Sequence, residues 1–209
     1  PDFYRLRIAG QIINVSIDST ETVNIKAAYP RMASKYEVTG SVNCCKIKTL
    51  ALMQQGLQKQ IDDIIKNPTL GVEAVEANIA SALETYKNKV KLNYIFKEPM
   101  RAYSYFALFQ YIVVGNEARL IFDPTKDAKD NKVFGAVATS WDTYYPGSDR
   151  TQNLHNITIK GMKDERIVKA QSKPVELKAQ ELGVVDLPLR DNHGTVRHLP
   201  DLKGKVVLL

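Results

Sequence analysis

The sequence predicts an α+β fold: a small antiparallel β module, a helical segment after it, and a closing hairpin and strand. Three observations predict it. Apolar residues alternate with polar ones through about residue 40, the spacing of half-buried strands. From Ile47 onward they recur at three- and four-residue steps, the spacing of amphipathic helices. Beyond Pro174 short apolar runs return, punctuated by Asp191-Asn192-His193-Gly194 and by Pro200-Asp201-Leu202-Lys203-Gly204.

Phe3, Leu6 and Ile8, followed by Ile12, Ile13, Val15 and Ile17, predict two strands joined at Ala9-Gly10. Asp18-Ser19-Thr20 reads as a turn. Val23, Ile25 and Ala27 alternate over residues 21–28, and Pro30-Arg31 breaks the run. Tyr36 to Gly40 is a last short strand. So few strands cannot close a sandwich, so the sheet is expected to be part of a larger β module or to be covered by the helices after it.

Asn43 is a candidate cap for the first helix, whose stripe is Ile47, Leu50, Met53, Leu57, Ile61, Ile64 and Ile65. Gly56 inside it costs roughly 1 kcal/mol relative to alanine. Asn67-Pro68 ends the helix, and Thr69 is a candidate cap for the next. That helix carries Val72, Val75, Ile79, Leu83, Tyr86, Val90 and Tyr94, with Pro99 as its stop or kink. The short connection predicts a helical hairpin. Met100 to Val113 is apolar on all sides, which predicts a buried third helix. Its tyrosines Tyr103, Tyr105 and Tyr111 are core residues on one reading and the wall of a ligand groove on the other.

Asp123-Pro124 and the charged run Lys126 to Lys132 read as an exposed turn. A short helix with Val133, Phe134, Val137 and Trp141 comes next. Ser148 is the candidate cap of a last long helix, with Leu154, Ile157, Met162, Ile167 and Val168 facing inward and Pro174 at its end. The predicted organisation is a partial β module at 1–42, a helical segment at 43–173, and a linker plus the start of a further domain at 174–209.

Composition excludes some classes. With 44% hydrophobic and 25% charged residues, the 209-residue chain has the makeup of a globular protein, and no apolar run is long enough to span a bilayer. The net charge of +6 permits nucleic-acid binding, but the lysines are spread along helix faces and no recognition motif accompanies them, so nucleic acid is not an expected partner. The two cysteines, Cys44 and Cys45, are neighbours, a spacing that permits only a strained bridge and matches no Cys-x-x-Cys pair. They are expected to be small, partly buried residues at a helix start. His155, His193 and His198 have no shared helical spacing, so no metal site is predicted, and His193 is expected in a turn beside Gly194. Asp62-Asp63 and Asp164-Glu165 are expected on solvated helix faces. No nucleophile elbow, P-loop or dinucleotide fingerprint is present, so no catalytic or cofactor-binding residue is assigned. Asn14-Val15-Ser16 and Asn156-Ile157-Thr158 match the glycan sequon, a pattern common by chance.

The closing stretch, Leu187-Pro-Leu-Arg-Asp-Asn-His-Gly-Thr-Val-Arg-His-Leu-Pro-Asp-Leu-Lys-Gly-Lys-Val-Val-Leu-Leu209, resembles the opening hairpin and first core strand of thioredoxin-like proteins. The branch is that of the alkyl hydroperoxide reductase/thiol-specific antioxidant enzymes and the membrane-tethered thiol-disulfide interchange proteins. More weakly, Ile17 to Glu21 with Tyr36 to Ser41 and a following helix resembles the uncharacterised N-terminal domain of thioredoxin-like proteins from Bacteroides-type bacteria. The resemblance implies a cell-envelope or periplasmic protein, often a lipoprotein anchored through a segment outside this sequence. It implies that the chain starts inside the β module and stops before the redox Cys-x-x-Cys. No position here matches those cysteines, so the chain itself is expected to be inactive, whether its parent is an oxidoreductase or a peroxidase. The implied partners are a redox partner protein or a second copy of the chain. The alternative is a stand-alone envelope module binding a glycan, peptide or lipid.

Overall fold

In the computed structural model the chain is α+β, with small antiparallel ladders set among helices. The structure describes residues 1–18, 20–172, 188–190 and 193–198. By internal contacts the chain divides into two units, Pro1–Val168 and Lys169–Leu209.

In the first unit, β1 (Asp2–Ile8) pairs antiparallel with β2 (Gln11–Ile17), in a register running from Asp2↔Ile17 to Ile8↔Gln11. The joining residues Ala9 and Gly10 both have positive φ, +47° and +78°. That backbone matches the right-handed twist of the strands, which is why two-residue hairpins use it. A second ladder pairs β3 (Asn24–Ala27) with β4 (Tyr36–Thr39). Gly40 comes next at φ +92°, where an added Cβ would collide with the Thr22 carbonyl oxygen. Only glycine fits that corner.

Helix α1 (Val42–Ile65) packs against β2 and β4. Ser41, not Asn43, is its cap. The Ser41 hydroxyl accepts from the Cys44 N–H at 3.3 Å and donates to a Glu21 carboxylate oxygen at 3.1 Å. Asn43 lies buried in the first turn instead. A small core of Ile13, Val15, Tyr36, Val38 and Cys44 seals the α1 start to both ladders. The strands form two separate ladders instead of one sheet, and α1 covers part of each.

Helix α2 (Val72–Val90) starts at Gly71 with no side-chain cap; the Thr69 hydroxyl is spent on Asn67 Oδ1 at 2.7 Å. Its apolar stripe is buried only from Ala82 onward, and Val72 is exposed. A π-helical turn, Lys91–Ile95, follows before Pro99 is reached.

The expected third helix over 100–113 is two elements. Helix α3 (Ala102–Leu108) stops early, and β5 (Tyr111–Val114) pairs with β6 (Glu117–Leu120) across Gly115-Asn116. The β-branched run Ile112-Val113-Val114 ahead of Gly-Asn is a hairpin signal that an all-round apolar reading hides. On its other edge β5 meets α1 through glutamines. Gln58 donates to the Val113 carbonyl at 2.8 Å and accepts from its N–H at 2.7 Å, so a side chain completes the strand's backbone pairing.

The charged run after Lys126 is the first turn of α4 (Ala128–Tyr144), not an exposed turn. Asp127 caps it by accepting from the Lys129 N–H at 2.9 Å. Asp130 and Asn131 are buried, and Lys87 of α2 reaches across to Asp130 at 2.6 Å. Helix α5 (Asp149–Ser172) begins as expected, with Ser148 Oγ accepting from the Thr151 N–H at 3.2 Å. Leu154 is fully buried, but Met162, Ile167 and Val168 are exposed. The main core joins Ile47, Leu50 and Ile61 of α1, Val90, Phe122, Phe134, Trp141 and Leu154.

In the second unit β7 (Leu189–Arg190) pairs antiparallel with β8 (Val196–Arg197). His193 stands in the turn beside Gly194, whose φ is +76°. Residues 173–187, where the linker is expected from 174 onward, and the expected core strand Lys205–Leu209 lie outside the described residues.

Candidate functional site

The fold places both cysteines in the first turn of α1. The Cys44 thiol is buried, donates to the Ser16 carbonyl at 3.0 Å and accepts from the Ser16 N–H at 3.4 Å. Cys45 is exposed, unbridged, and donates to the Val38 carbonyl at 3.4 Å. Each sulfur thus ties the first turn of α1 to a different strand. Among the described residues no three of His, Cys, Asp and Glu converge on one point. His155 pairs with Asp142 at 2.9 Å on the surface. Asp62 accepts from Gln58 at 2.8 Å one turn earlier on the same helix, and Asp63 is exposed.

The aromatic cluster divides between core and cleft. Tyr103 is buried, and its hydroxyl donates to the Glu98 carboxylate. Burial, then this bond, raises the Tyr103 hydroxyl above its usual range, and the same bond holds Glu98 below the usual carboxylate value. Tyr105 is the hub of a ring ladder: Phe3 at 5.3 Å, Phe109 at 4.8 Å and Trp141 at 4.7 Å, with Tyr145 a further 4.8 Å beyond Trp141. The Arg150 guanidinium lies 4.8 Å over Phe3 and 5.9 Å from Tyr105. The ladder pins the start of β1 to α3, α4 and α5 through stacking. One edge of it, with Tyr105, Trp141, Tyr145, Arg150 and Asn153, faces a cleft of about 620 Å³ bounded by the first residues of the chain.

A second cleft, about 390 Å³, lies between the β1–β2 hairpin, α1 and the α3–β5 segment. Both volumes fall in the range of small-ligand sites. Tyr36, Phe106, Phe109 and the exposed ring of Tyr111 supply its aromatic surface. Its amides are largely engaged within the fold. Gln110 accepts from the Tyr86 hydroxyl at 2.7 Å and donates to the Leu50 carbonyl at 3.0 Å. Gln54 holds the Tyr111 carbonyl at 2.8 Å, and Gln11 accepts from the Ala33 N–H at 3.0 Å. Burial raises the Tyr86 hydroxyl, the Gln110 bond opposing it. Among the described residues, Arg5 and Asn14 line this cleft without a hydrogen-bond or ion-pair partner. The arrangement offers stacking, one amide and one positive charge. That chemistry suits binding.

Sequence reasoning named Tyr103, Tyr105 and Tyr111 as candidates; only Tyr111 is an exposed cleft residue. It missed Arg5 and Asn14, whose alternation on neighbouring strands marks one sheet face but not what that face looks onto. No protein-family model matches the chain, and no curated protein or solved structure matches it.

Proposed function

We propose that this chain is the non-catalytic accessory part of a thioredoxin-like thiol-disulfide oxidoreductase of the cell envelope, and that it positions or dimerises the redox domain. The observation that carries this reading is the hairpin Leu189–Arg190/Val196–Arg197. It stands at the place in the sequence that resembles the opening of the redox fold, and it belongs to a contact unit separate from Pro1–Val168. The placement of Cys44 and Cys45 as ties between α1 and the strands supports a part without redox chemistry of its own. Reading the coding sequence downstream of Leu209 tests the proposal: a Cys-x-x-Cys within the next element supports it, and an open frame without paired cysteines overturns it.

A second reading is favoured by the cleft at Arg5, Asn14 and Tyr111: a module binding a glycan, peptide or lipid of the envelope. Titrating the chain with an oligosaccharide, a peptide and a lipid micelle, while following backbone amide shifts, separates the two. Shifts confined to the cleft residues with one ligand class favour the binding module.

A further inference from the structure

The first strand of the chain is only half used. β1 pairs with β2 on one edge, and among the described residues β2 is its only extensive element contact. Among the described residues its other edge belongs to no ladder. An antiparallel pairing leaves every second N–H and C=O of such an edge directed away from its partner. The side chains are equally unfinished. Tyr4, Leu6 and Ile8 share one face and are 50%, 44% and 53% exposed, although their cross-strand partners Val15 and Ile13 are buried. Beside them a groove of about 250 Å³, lined by Leu6, Ile8, Ile13, Ile25, Ala27 and Met32, stays open.

The opposite face of the same strand carries Arg5 and Arg7. Among the described residues neither guanidinium has an ion pair or hydrogen bond. Two positive charges, two residues apart, determine which strand can complete this edge. A second copy of β1, paired antiparallel about Leu6, sets Arg5 opposite Arg7; paired about Arg5 it sets Arg5 opposite itself. Like charges directly opposite are destabilising. A strand with acidic residues at the same two-residue spacing, and apolar residues between them, meets both faces at once. Its acids lie beside Arg5 and Arg7, and its apolar side chains cover Leu6 and the open groove.

We propose that the free edge of β1 is a β-augmentation site for an extended acidic–apolar segment of a partner protein. The backbone supplies the pairing, the apolar face the burial and the two arginines the selection. All the residues of this site belong to the first unit, so it stands or falls separately from the redox assignment of the second.

The test uses the 209-residue chain and two blocked peptides, Val-Glu-Val-Glu-Val-Glu-Val and its lysine counterpart, with amide hydrogen exchange and binding titration as readouts. The glutamate peptide is expected to bind at least about tenfold more tightly than the lysine peptide, and to protect amides within residues 3–8. The R5E/R7E variant is expected to reverse that preference. In the unaltered chain the preference is expected to shrink in 1 M salt, where exposed charges are screened within about 3 Å. Three results overturn the proposal: neither peptide protects β1; protection arises elsewhere; or the β1 edge is already protected without peptide, because another segment or a second copy covers it.

Discussion

Ala9 carries a cost visible at the level of one residue. Its φ of +47° belongs to the left-handed region, which disfavours a Cβ by roughly 1 kcal/mol or more. Asparagine tolerates that backbone, and Asn-Gly is the preferred pair for such a turn. Ala9→Asn is therefore expected to stabilise the hairpin by about 1 kcal/mol and to raise Tm by about 2–4 °C in a scanning calorimetry experiment. An unchanged or lowered Tm contradicts the turn geometry. Tyr36 gives a pH signature. Burial, with a smaller contribution from Cys44, pushes its hydroxyl up to about 12. Its folded pKa lies above the unfolded value near 10, so its stabilising contribution is complete below pH 10 and is lost as pH rises towards 12. Denaturant titrations from pH 9 to pH 12 should show this decline, and Tyr36→Phe should make it shallower, the raised Tyr86 and Tyr103 hydroxyls supplying the remainder. An equal slope in the variant assigns the decline to other groups.

Individual elements show what was legible in the sequence and what was not. Long amphipathic helices were legible because a 3.6-residue stripe needs no knowledge of the partner, so α1 and α2 fall where the spacing places them. By contrast, α5 was legible from its Ser148 cap, its predicted inward residues Met162, Ile167 and Val168 being exposed. The start of α4 was not. Its charged first turn reads as solvent-exposed until Lys87, more than forty residues earlier, is brought to Asp130 at 2.6 Å. The β5–β6 hairpin was lost because its apolar residues merge with the aromatic run of α3. The candidate cleft was legible in Tyr111 alone; Arg5 and Asn14 join it only through the register of β1 on β2. The Lys87–Asp130 tie makes a prediction for its two helices. Burial pushes the Asp130 carboxyl up, while Lys87 and the Asp123 N–H at 2.8 Å hold it down. Lys87→Met removes the opposing charge and is expected to cost roughly 3 kcal/mol at pH 7, as for other half-removed buried pairs. The loss should shrink as pH falls and Asp130 takes up a proton, measured by urea unfolding at pH 7 and pH 4. A loss that does not change with pH contradicts an isolated carboxylate as its cause.

At the scale of the molecule, two features of the first unit stay open among the described residues. The groove and free edge of β1 are built like half of an interface, and the cleft at Arg5, Asn14 and Tyr111 has aromatic surface and uncommitted polar groups together. Both suit a part that contacts something else. The second unit holds a hairpin in a sequence context that resembles a redox domain, while the chain's own sulfurs serve as ties between α1 and the strands. The proposed function divides the labour, with contact assigned to the first unit and thiol chemistry to the redox domain that the closing sequence resembles. Reduction of insulin disulfides, measured with the 209-residue chain and with the product of the reading frame continued past Leu209, tests that division most directly. The account predicts turnover from the longer protein, and a rate from the 209-residue chain equal to that of its C44S/C45S variant. Turnover by the 209-residue chain that disappears in C44S/C45S contradicts it.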